Sequence, residues 1–228
     1  MNTIQEIQQA IRQLSRFQRE DLAEWILNSA DFADRVAEAS LAYEALAQGR
    51  YLSVDEYLQS EEGSPIRHEY VAGQIFAMSG GTLRHKAISD NLLVSFSNHL
   101  RGSPCRAVSS SMKVRLRVNA DEIFYYPDAM VACGLLDMDS VYLTNPCLIV
   151  EVLSPSTEAV DRREKALNYR HIESLEEYVQ VAQRPLQVAI FRRSKDWIPV
   201  VLTTPDAVAE FRSIALSMTL EQLYEGTQ

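Results

Sequence analysis

The sequence predicts an α/β fold in which helices flank a mixed β-sheet, and two segments carry most of that prediction. Between residues 83 and 100, apolar side chains recur at the spacing of an amphipathic helix: Ile88, Leu92, Phe96 and Leu100. CLIVEVL at 147–153 is a nearly unbroken apolar run, which is typical of a central strand buried on both faces. Strand-like segments lie on both sides of the helix in sequence, so we expect the helix and the sheet to pack as layers.

The remaining elements of this core follow in order along the chain. Ser53 predicts the N-cap of a short helix, and HEYVAGQIFAM predicts a hairpin that turns at Ala72-Gly73. After the long helix the pattern predicts strands at 112–118 and 123–133, a polar helix at 160–172, and strands near 177–183, 187–193 and 198–203. Thr219 and Gln222 make a capping box that begins a final short helix.

The first 50 residues form a separate helical region in this prediction. Ile4, Ile7 and Ile11 recur at helical spacing, and a second stretch runs from Phe32 to Leu46. We therefore divide the chain into a helical extension, residues 1–50, and a core domain, residues 51–228. The extension is either a cap packed on the core or a protein-interaction module, since its helices loosely resemble those of small bacterial antitoxin-like proteins.

Composition and charge limit the classes of function. The chain has 228 residues, of which 46% are hydrophobic and 23% charged, and its net charge is -9. It has no apolar run of the roughly 18 residues that span a bilayer and no signal-peptide core, so we expect a cytoplasmic protein without a membrane partner. A net negative charge disfavours nucleic acid, but residues 84–117 contain seven basic residues and one acidic residue, which allows local phosphate binding. The three cysteines, at 105, 133 and 147, are predicted to be buried thiols.

Two carboxylates stand out because they lie in apolar strands. Glu151 is inside CLIVEVL, and Asp128 is inside FYYPDAMVA on the preceding strand. A buried carboxylate is costly to ionise unless a cation, a basic side chain or exposure compensates for lost hydration. Acids on neighbouring strands can converge at the strand ends, where a divalent cation relieves their repulsion. The sequence predicts a Mg²⁺ or Mn²⁺ site at these two acids, and the alternative is that each acid pairs separately with an arginine or caps a turn.

The residues around these acids resemble the PD-(D/E)XK superfamily of restriction-endonuclease-like nucleases, and more narrowly a large bacterial family of such proteins. The likeness lies within residues 53–193, in HEYVAGQIFAMSGGTLRHKAI, YYPDAMV, CLIVEVLSPSTEAVDRREKALNY and EEYVQVA. The Pro127-Asp128 pair alone is a weak signal, whereas its combination with EVLSPST and the downstream Lys165 and Tyr169 is specific. The resemblance implies a restriction-endonuclease-like fold and metal-dependent hydrolysis of phosphodiester bonds, with DNA as the favoured substrate.

The resemblance also implies a set of site residues, with one departure. The superfamily pattern puts a lysine two residues after the acid, where this chain has Leu153. Lys165, on the following helix, is the predicted catalytic lysine; the alternative is a lysine that faces solvent, and Lys113 is the reserve candidate. Arg162 and Tyr169 share a helical face with Lys165 and are predicted to contact substrate.

Three further residues complete the predicted site. Glu69, next to a tyrosine in the hairpin, resembles a family acid and is a candidate third acid near the metal. His85 shares a helical stripe with Ile88 and is either a hydrogen-bonded residue near the core or a catalytic or supporting residue. The Val152 carbonyl is a predicted metal ligand beside the two acids.

Two hypotheses of function follow. The first is a metal-dependent endonuclease that acts on nucleic acid as a homodimer. The second is a nucleic-acid-binding or assembly protein that keeps the nuclease fold and has lost turnover, a hypothesis that the missing lysine after Glu151 keeps open.

Overall fold

The structure, a computed structural model, describes residues 51–78, 80–153 and 164–227. The chain divides into two compact units, the first ending at Gly80 and the second beginning at Gly81. The helical extension predicted at 1–50 lies outside the described residues, and so do Arg162 and the start of the helix predicted at 160–172. The domain boundary predicted at residue 50 therefore stays a prediction. No helix in the described ranges is long and apolar enough to cross a membrane.

The first unit contains a short helix and a hairpin. Its elements are α1 (Val54–Glu61), β1 (His68–Val71) and β2 (Gln74–Ala77). The predicted cap at Ser53 is confirmed, because its side chain and that of Glu56 form a capping box. The predicted turn is confirmed as well: Ala72 and Gly73 have φ of 50° and 92°, and paired left-handed residues of this kind suit a two-residue hairpin turn.

The described residues of the second unit form three sets of strands and three α-helices. Its helices are α2 (Leu83–His99), α3 (Ala166–Tyr169) and α4 (Leu220–Leu223). Its strands are β3 (Cys105–Ser109), β4 (Lys113–Val118), β5 (Asp121–Tyr125), β6 (Ala129–Cys133), β7 (Tyr142–Leu143), β8 (Pro146–Leu153), β9 (Glu177–Ala182), β10 (Gln187–Arg192), β11 (Val200–Leu202), β12 (Val208–Phe211) and β13 (Leu216–Thr219).

The main sheet has six strands in the order β11-β10-β9-β8-β6-β3. The central pair β8–β9 is parallel, and the other neighbours are antiparallel. Elsewhere in the second unit, β4 pairs with β5 and with β7, and β12 and β13 form a hairpin. A mixed sheet flanked by helices is the predicted α/β architecture, which is therefore confirmed.

One face of the main sheet forms the hydrophobic core with α2. Ile88, Leu92 and Phe96 from α2 are fully buried and pack with Leu148, Val150 and Val152 from β8. Burying each of these side chains stabilises the fold by about 2 kcal/mol. Because side chains alternate across a strand, Glu151 lies on the opposite face of β8, away from this core. The apolar run of β8 thus buries both faces of the strand, as the sequence predicted.

Three features differ from the prediction. The segment predicted as a strand at 123–133 is two strands, β5 and β6, separated at Tyr126, Pro127 and Asp128. The strands β3, β7, β12 and β13 were not predicted. Within the described part of the helix predicted at 160–172, the α-helix spans only Ala166–Tyr169.

The prediction of three thiols is wrong for two of the cysteines. Cys105 lies opposite Cys133 in the β3–β6 ladder, and the two form a disulfide. Because β3 was not predicted, the sequence offered no reason to place these two residues side by side. Cys147 on β8 keeps a thiol, whose sulfur lies 3.8 Å from that of Cys133.

Candidate active site

Asp128 and Glu151 lie at the same end of two neighbouring strands. In the antiparallel β6–β8 ladder, Ala129 pairs with Val150, so Asp128 comes just before β6 where β8 reaches Glu151. A direct bond fixes this placement, since the backbone N–H of Val152 donates to Oδ2 of Asp128 at 2.8 Å. The carboxylate of Asp128 therefore lies one residue along β8 from Glu151.

His85 contacts Asp128 from the first turn of α2. Its Nε2 lies 3.2 Å from Oδ2 of Asp128. Thr82 caps the helix by accepting a hydrogen bond from the backbone N–H of His85 at 3.2 Å. On its other side the imidazole ring fits closely against Gly81, because a Cβ on Gly81 would lie 2.8 Å from Nδ1 of His85. The capped helix and this glycine together hold the ring in position.

Glu151 is much less accessible than Asp128. The Glu151 side chain is 5% exposed, against 13% for Asp128. Oε1 of Glu151 accepts a hydrogen bond from the Tyr169 hydroxyl at 2.7 Å and lies 3.5 Å from Nζ of Lys165. An ammonium group and a hydroxyl thus compensate for lost hydration, as a buried carboxylate requires.

The segment that carries Lys165 brings it to the end of β8 beside Glu151. Residues 165 and 169 are four apart, so their side chains share one side of the helical segment. The Lys165 ammonium lies 5.1 Å from the centroid of the Tyr125 ring, which in turn packs edge-on against Tyr169. The Tyr125 hydroxyl accepts a hydrogen bond from Asn168 Nδ2 at 2.8 Å. The lysine is therefore a buried neighbour of the acid, and not a solvent-facing residue.

Gln180 is a polar residue of this face that the sequence analysis missed. It pairs with Glu151 in the parallel β8–β9 ladder, so the two side chains point to the same face of the sheet. Its side chain is buried, and Nε2 donates to the Tyr178 hydroxyl at 3.3 Å. The signal was available, because Gln180 interrupts the apolar run EYVQVA as Glu151 interrupts CLIVEVL.

The other predicted residues occupy different places. Lys113, the reserve lysine, is buried at the start of β4, with Nζ 5.4 Å from the centroid of the Tyr126 ring. Glu69 is half-buried on β1 of the first unit, and its role as a third acid stays a prediction. Arg162 lies outside the described residues.

The carboxylate oxygens of Asp128 and Glu151 are the type of ligand that a small divalent cation binds. Within the described ranges, no group of three or more His, Cys, Asp or Glu residues could hold a metal ion on its own. The contacts of Asp128 with His85 and with the Val152 N–H both use Oδ2. Two carboxylates with a backbone carbonyl fit Mg²⁺ or Mn²⁺, which keep several waters in their coordination shell.

Comparisons with known proteins bear on the family and the fold of the chain. The model of the Uma2 family, described as "Putative restriction endonuclease", matches residues 54–221. The chain is 39% identical over 178 residues to slr1290, an uncharacterized protein of Synechocystis sp., which covers 77% of this chain and 92% of that protein. It is 30% identical over 171 residues to sll1609, another uncharacterized protein of the same organism, which covers 73% of this chain and 96% of that protein.

A solved structure shares the fold. The crystal structure of "a putative nuclease belonging to DUF820" from Anabaena variabilis superposes with a TM-score of 0.64 at 18% sequence identity. The match covers 78% of this chain and 99% of that chain. At this identity the likeness shows the fold alone.

Proposed function

Because the chain belongs to the Uma2 family of restriction-endonuclease-like proteins, we propose that it is a metal-dependent endonuclease that hydrolyses phosphodiester bonds of DNA. The observation that carries the proposal is the meeting of Asp128 and Glu151 at adjacent strand ends, with Lys165 beside them. Two acids and a lysine at one point are the groups that a metal-assisted attack on a phosphate requires.

Asp128, Glu151 and the carbonyl of Val152 are the residues that would hold the cation. When bound, Mg²⁺ or Mn²⁺ supplies positive charge to the phosphate and lowers the pKa of a coordinated water. The surrounding residues of the chain fix the positions of the two carboxylates. The Val152 N–H and His85 fix one oxygen of Asp128, and Tyr169 fixes one oxygen of Glu151.

Lys165 stabilises negative charge at the end of β8. Its ammonium lies 3.5 Å from Glu151, so it is placed to orient an attacking water and to stabilise the extra charge on the phosphate. We assign Tyr169 to positioning Glu151 and not to contacting substrate, because its side chain is fully buried. His85 positions Asp128 in the same way.

Basic residues outside the acid site would bind the flanking phosphates. Arg162 and the exposed arginines Arg101 and Arg106 of the cationic segment 84–117 take this role in the proposal, because phosphate contacts orient a protein on nucleic acid without reading its sequence. The homodimer and the cytoplasmic location also remain proposals, based on the sequence alone.

The test is cleavage of supercoiled plasmid DNA with Mg²⁺ or Mn²⁺. We expect the full chain to nick the plasmid, and Asp128→Asn and Glu151→Gln to lower the rate by at least about a hundredfold, the usual scale for removing a group that stabilises the transition state. Asp206→Asn, which removes an exposed carboxylate, is the matched control and should keep the full rate. Equal nicking by all four proteins would remove this site from consideration.

One observation favours a second function, that of a nucleic-acid-binding protein without turnover. The position two residues after Glu151 holds Leu153, and Lys165 already contacts the acid that it would assist. In that case the chain would bind Mn²⁺ and DNA while every variant and the wild type leave the plasmid intact.

A further inference from the structure

A cavity of about 660 Å³ lies beside the proposed active site, within the second unit. Its walls come from the start of α2, the β9–β10 turn and the segment around α4. Six of the side chains around it carry the polar groups used below: Arg84, Arg184, Glu221, Gln222, Tyr224 and Glu225. A cavity of this size is large enough for a small ligand.

Two connections place the cavity next to the acids. Arg84 lines the cavity, and the next residue of α2, His85, contacts Asp128 at 3.2 Å. Gln183 lines it too, and its Nε2 donates to the carbonyl of Leu153 at 2.9 Å, two residues beyond Glu151. The cavity therefore adjoins the first turn of α2 and the end of β8, the two elements whose neighbouring residues contact or carry the acids.

The walls of the cavity are held by hydrogen bonds within the protein. The Tyr224 hydroxyl, at the end of α4, donates to the carbonyl of Ala182 at 2.6 Å. Nε of Arg84 donates to the carbonyl of Thr227 at 2.8 Å, which ties α2 to the end of the described chain. The cavity is thus a preformed site with a fixed arginine on one side.

The charges around the cavity select the class of ligand. Arg84 and Arg184 are planar donors that suit a phosphate, but Glu221 and Glu225 make the site neutral as a whole. A neutral site attracts a bare anion weakly. It suits a ligand with an anionic end and an end rich in hydrogen-bond donors, which the two carboxylates can bind. A nucleotide whose base carries an amino group has both ends.

We propose that this cavity is a nucleotide subsite of the proposed nuclease, in which Arg84 and Arg184 bind the phosphate and Glu221 and Glu225 bind the donor edge of a purine base such as guanine. The inference rests on the proposed function for its biological meaning, since the nucleotide is a neighbour of the bond to be cut. The subsite would give the proposed nuclease a preference for one kind of base, whereas phosphate contacts alone do not distinguish one sequence from another.

The test measures binding without turnover. The full chain carrying Asp128→Asn is titrated in EDTA with deoxyguanosine monophosphate, deoxythymidine monophosphate and inorganic phosphate, by calorimetry or by NMR. We expect the guanine nucleotide to bind at least about tenfold more tightly than the other two, since a site built to bond donor groups penalises ligands that lack them. Arg184→Glu reverses one charge at an exposed position and should weaken binding by a similar factor, while Lys195→Glu, an exposed charge reversal away from the cavity lining, should leave it unchanged.

The outcomes separate the subsite from the nuclease itself. Replacing both Glu221 and Glu225 by Gln should reduce the preference for guanine and keep the thermal stability of the chain. Equal binding of all three ligands would overturn the nucleotide assignment, and so would binding that Arg184→Glu does not change. Because these titrations involve no cleavage, a failed nicking assay would leave a positive result standing, and a failed titration would leave the nicking assay unaffected.

Discussion

The carboxylate of Glu151 is buried, and it is stabilised there by side chains from one short helical segment. Lys165 supplies the charge and Tyr169 the hydrogen bond, both at Oε1. Removing one partner of a buried ion pair is more harmful than removing both, because the remaining charge loses its compensation. The stability of the fold and the geometry of the site therefore depend on the same contact.

Replacing Lys165 by Met removes the ammonium and leaves Glu151 with a buried charge. We expect the free energy of unfolding, measured by urea denaturation, to fall by about 3 kcal/mol. The double variant with Glu151→Gln carries neither charge and should recover most of that loss. A Lys165→Met protein as stable as the wild type would contradict the view that this pair is buried and mutually compensated.

Gly81 is the residue that leaves space for His85. A Cβ at this position would approach Nδ1 of the imidazole to 2.8 Å, closer than real Cβ contacts. We expect Gly81→Ala to displace the ring from Asp128 and to lower plasmid cleavage as much as His85→Ala does. The double variant should be no worse than either single variant, because both changes remove the same contact. Additive losses would show that Gly81 acts through something other than His85.

At the scale of elements, helices and strands with a strong apolar periodicity were predicted correctly, whereas several short strands were not predicted. The helix α2 and the strand β8 follow the predicted segments closely, because each carries a long apolar pattern. The strand β3 has the sequence CRAVS, which shows neither a clear alternation of apolar and polar residues nor an apolar run. None of its residues is fully buried in the fold. The hairpin β12–β13 has strands of only four residues, too short for periodicity to decide.

The same limit applies to side-chain pairing across the sheet. Glu177 on β9 binds Arg192 on β10 at 2.7 Å and also accepts hydrogen bonds from Ser213. The disulfide between Cys105 and Cys133 is a second pairing of this kind. Both depend on which strands become neighbours, which is set by the tertiary fold, and a single sequence does not give that order.

The environment of β8 gives Cys147 an unusual reactivity. Burial raises the pKa of its thiol to about 11, so the reactive thiolate is scarce near neutral pH. We expect alkylation by iodoacetamide, followed by mass spectrometry of the unreduced protein, to be slow at pH 8 and to speed up about tenfold per pH unit towards pH 11. Cys147→Ser should abolish the labelling. A rate that levels off near pH 9 would indicate an exposed, ordinary thiol.

At the scale of the whole molecule, the sequence pointed to the two acids and the lysine of the proposed site more readily than to their surroundings. Asp128 and Glu151 were predictable because burying a charged side chain in an apolar strand costs free energy unless another group compensates for it. The partners of Asp128 were not, because the bond to the Val152 N–H depends on the meeting of β6 and β8. Gln180 was missed for a simpler reason: an uncharged side chain in an apolar run attracts less notice than a carboxylate.

The distribution of charge is also a property of the whole chain. The net charge is -9, yet the segment 84–117 is cationic, and Arg84 from that segment lines the cavity beside the acids. A polyanion would be repelled by the net charge of the chain and attracted at the exposed arginines of this segment, Arg101 and Arg106. Binding of DNA should therefore be local and sensitive to salt.

The central claim, that one divalent cation binds between Asp128 and Glu151, is tested most directly by titrating the full chain with Mn²⁺ and counting bound ions by electron paramagnetic resonance. The account predicts one ion per chain in the wild type and in Asp206→Asn, with that ion lost in Asp128→Asn and in Glu151→Gln. Mn²⁺ binding that survives both substitutions at the acids, or a wild type that binds none, would contradict it.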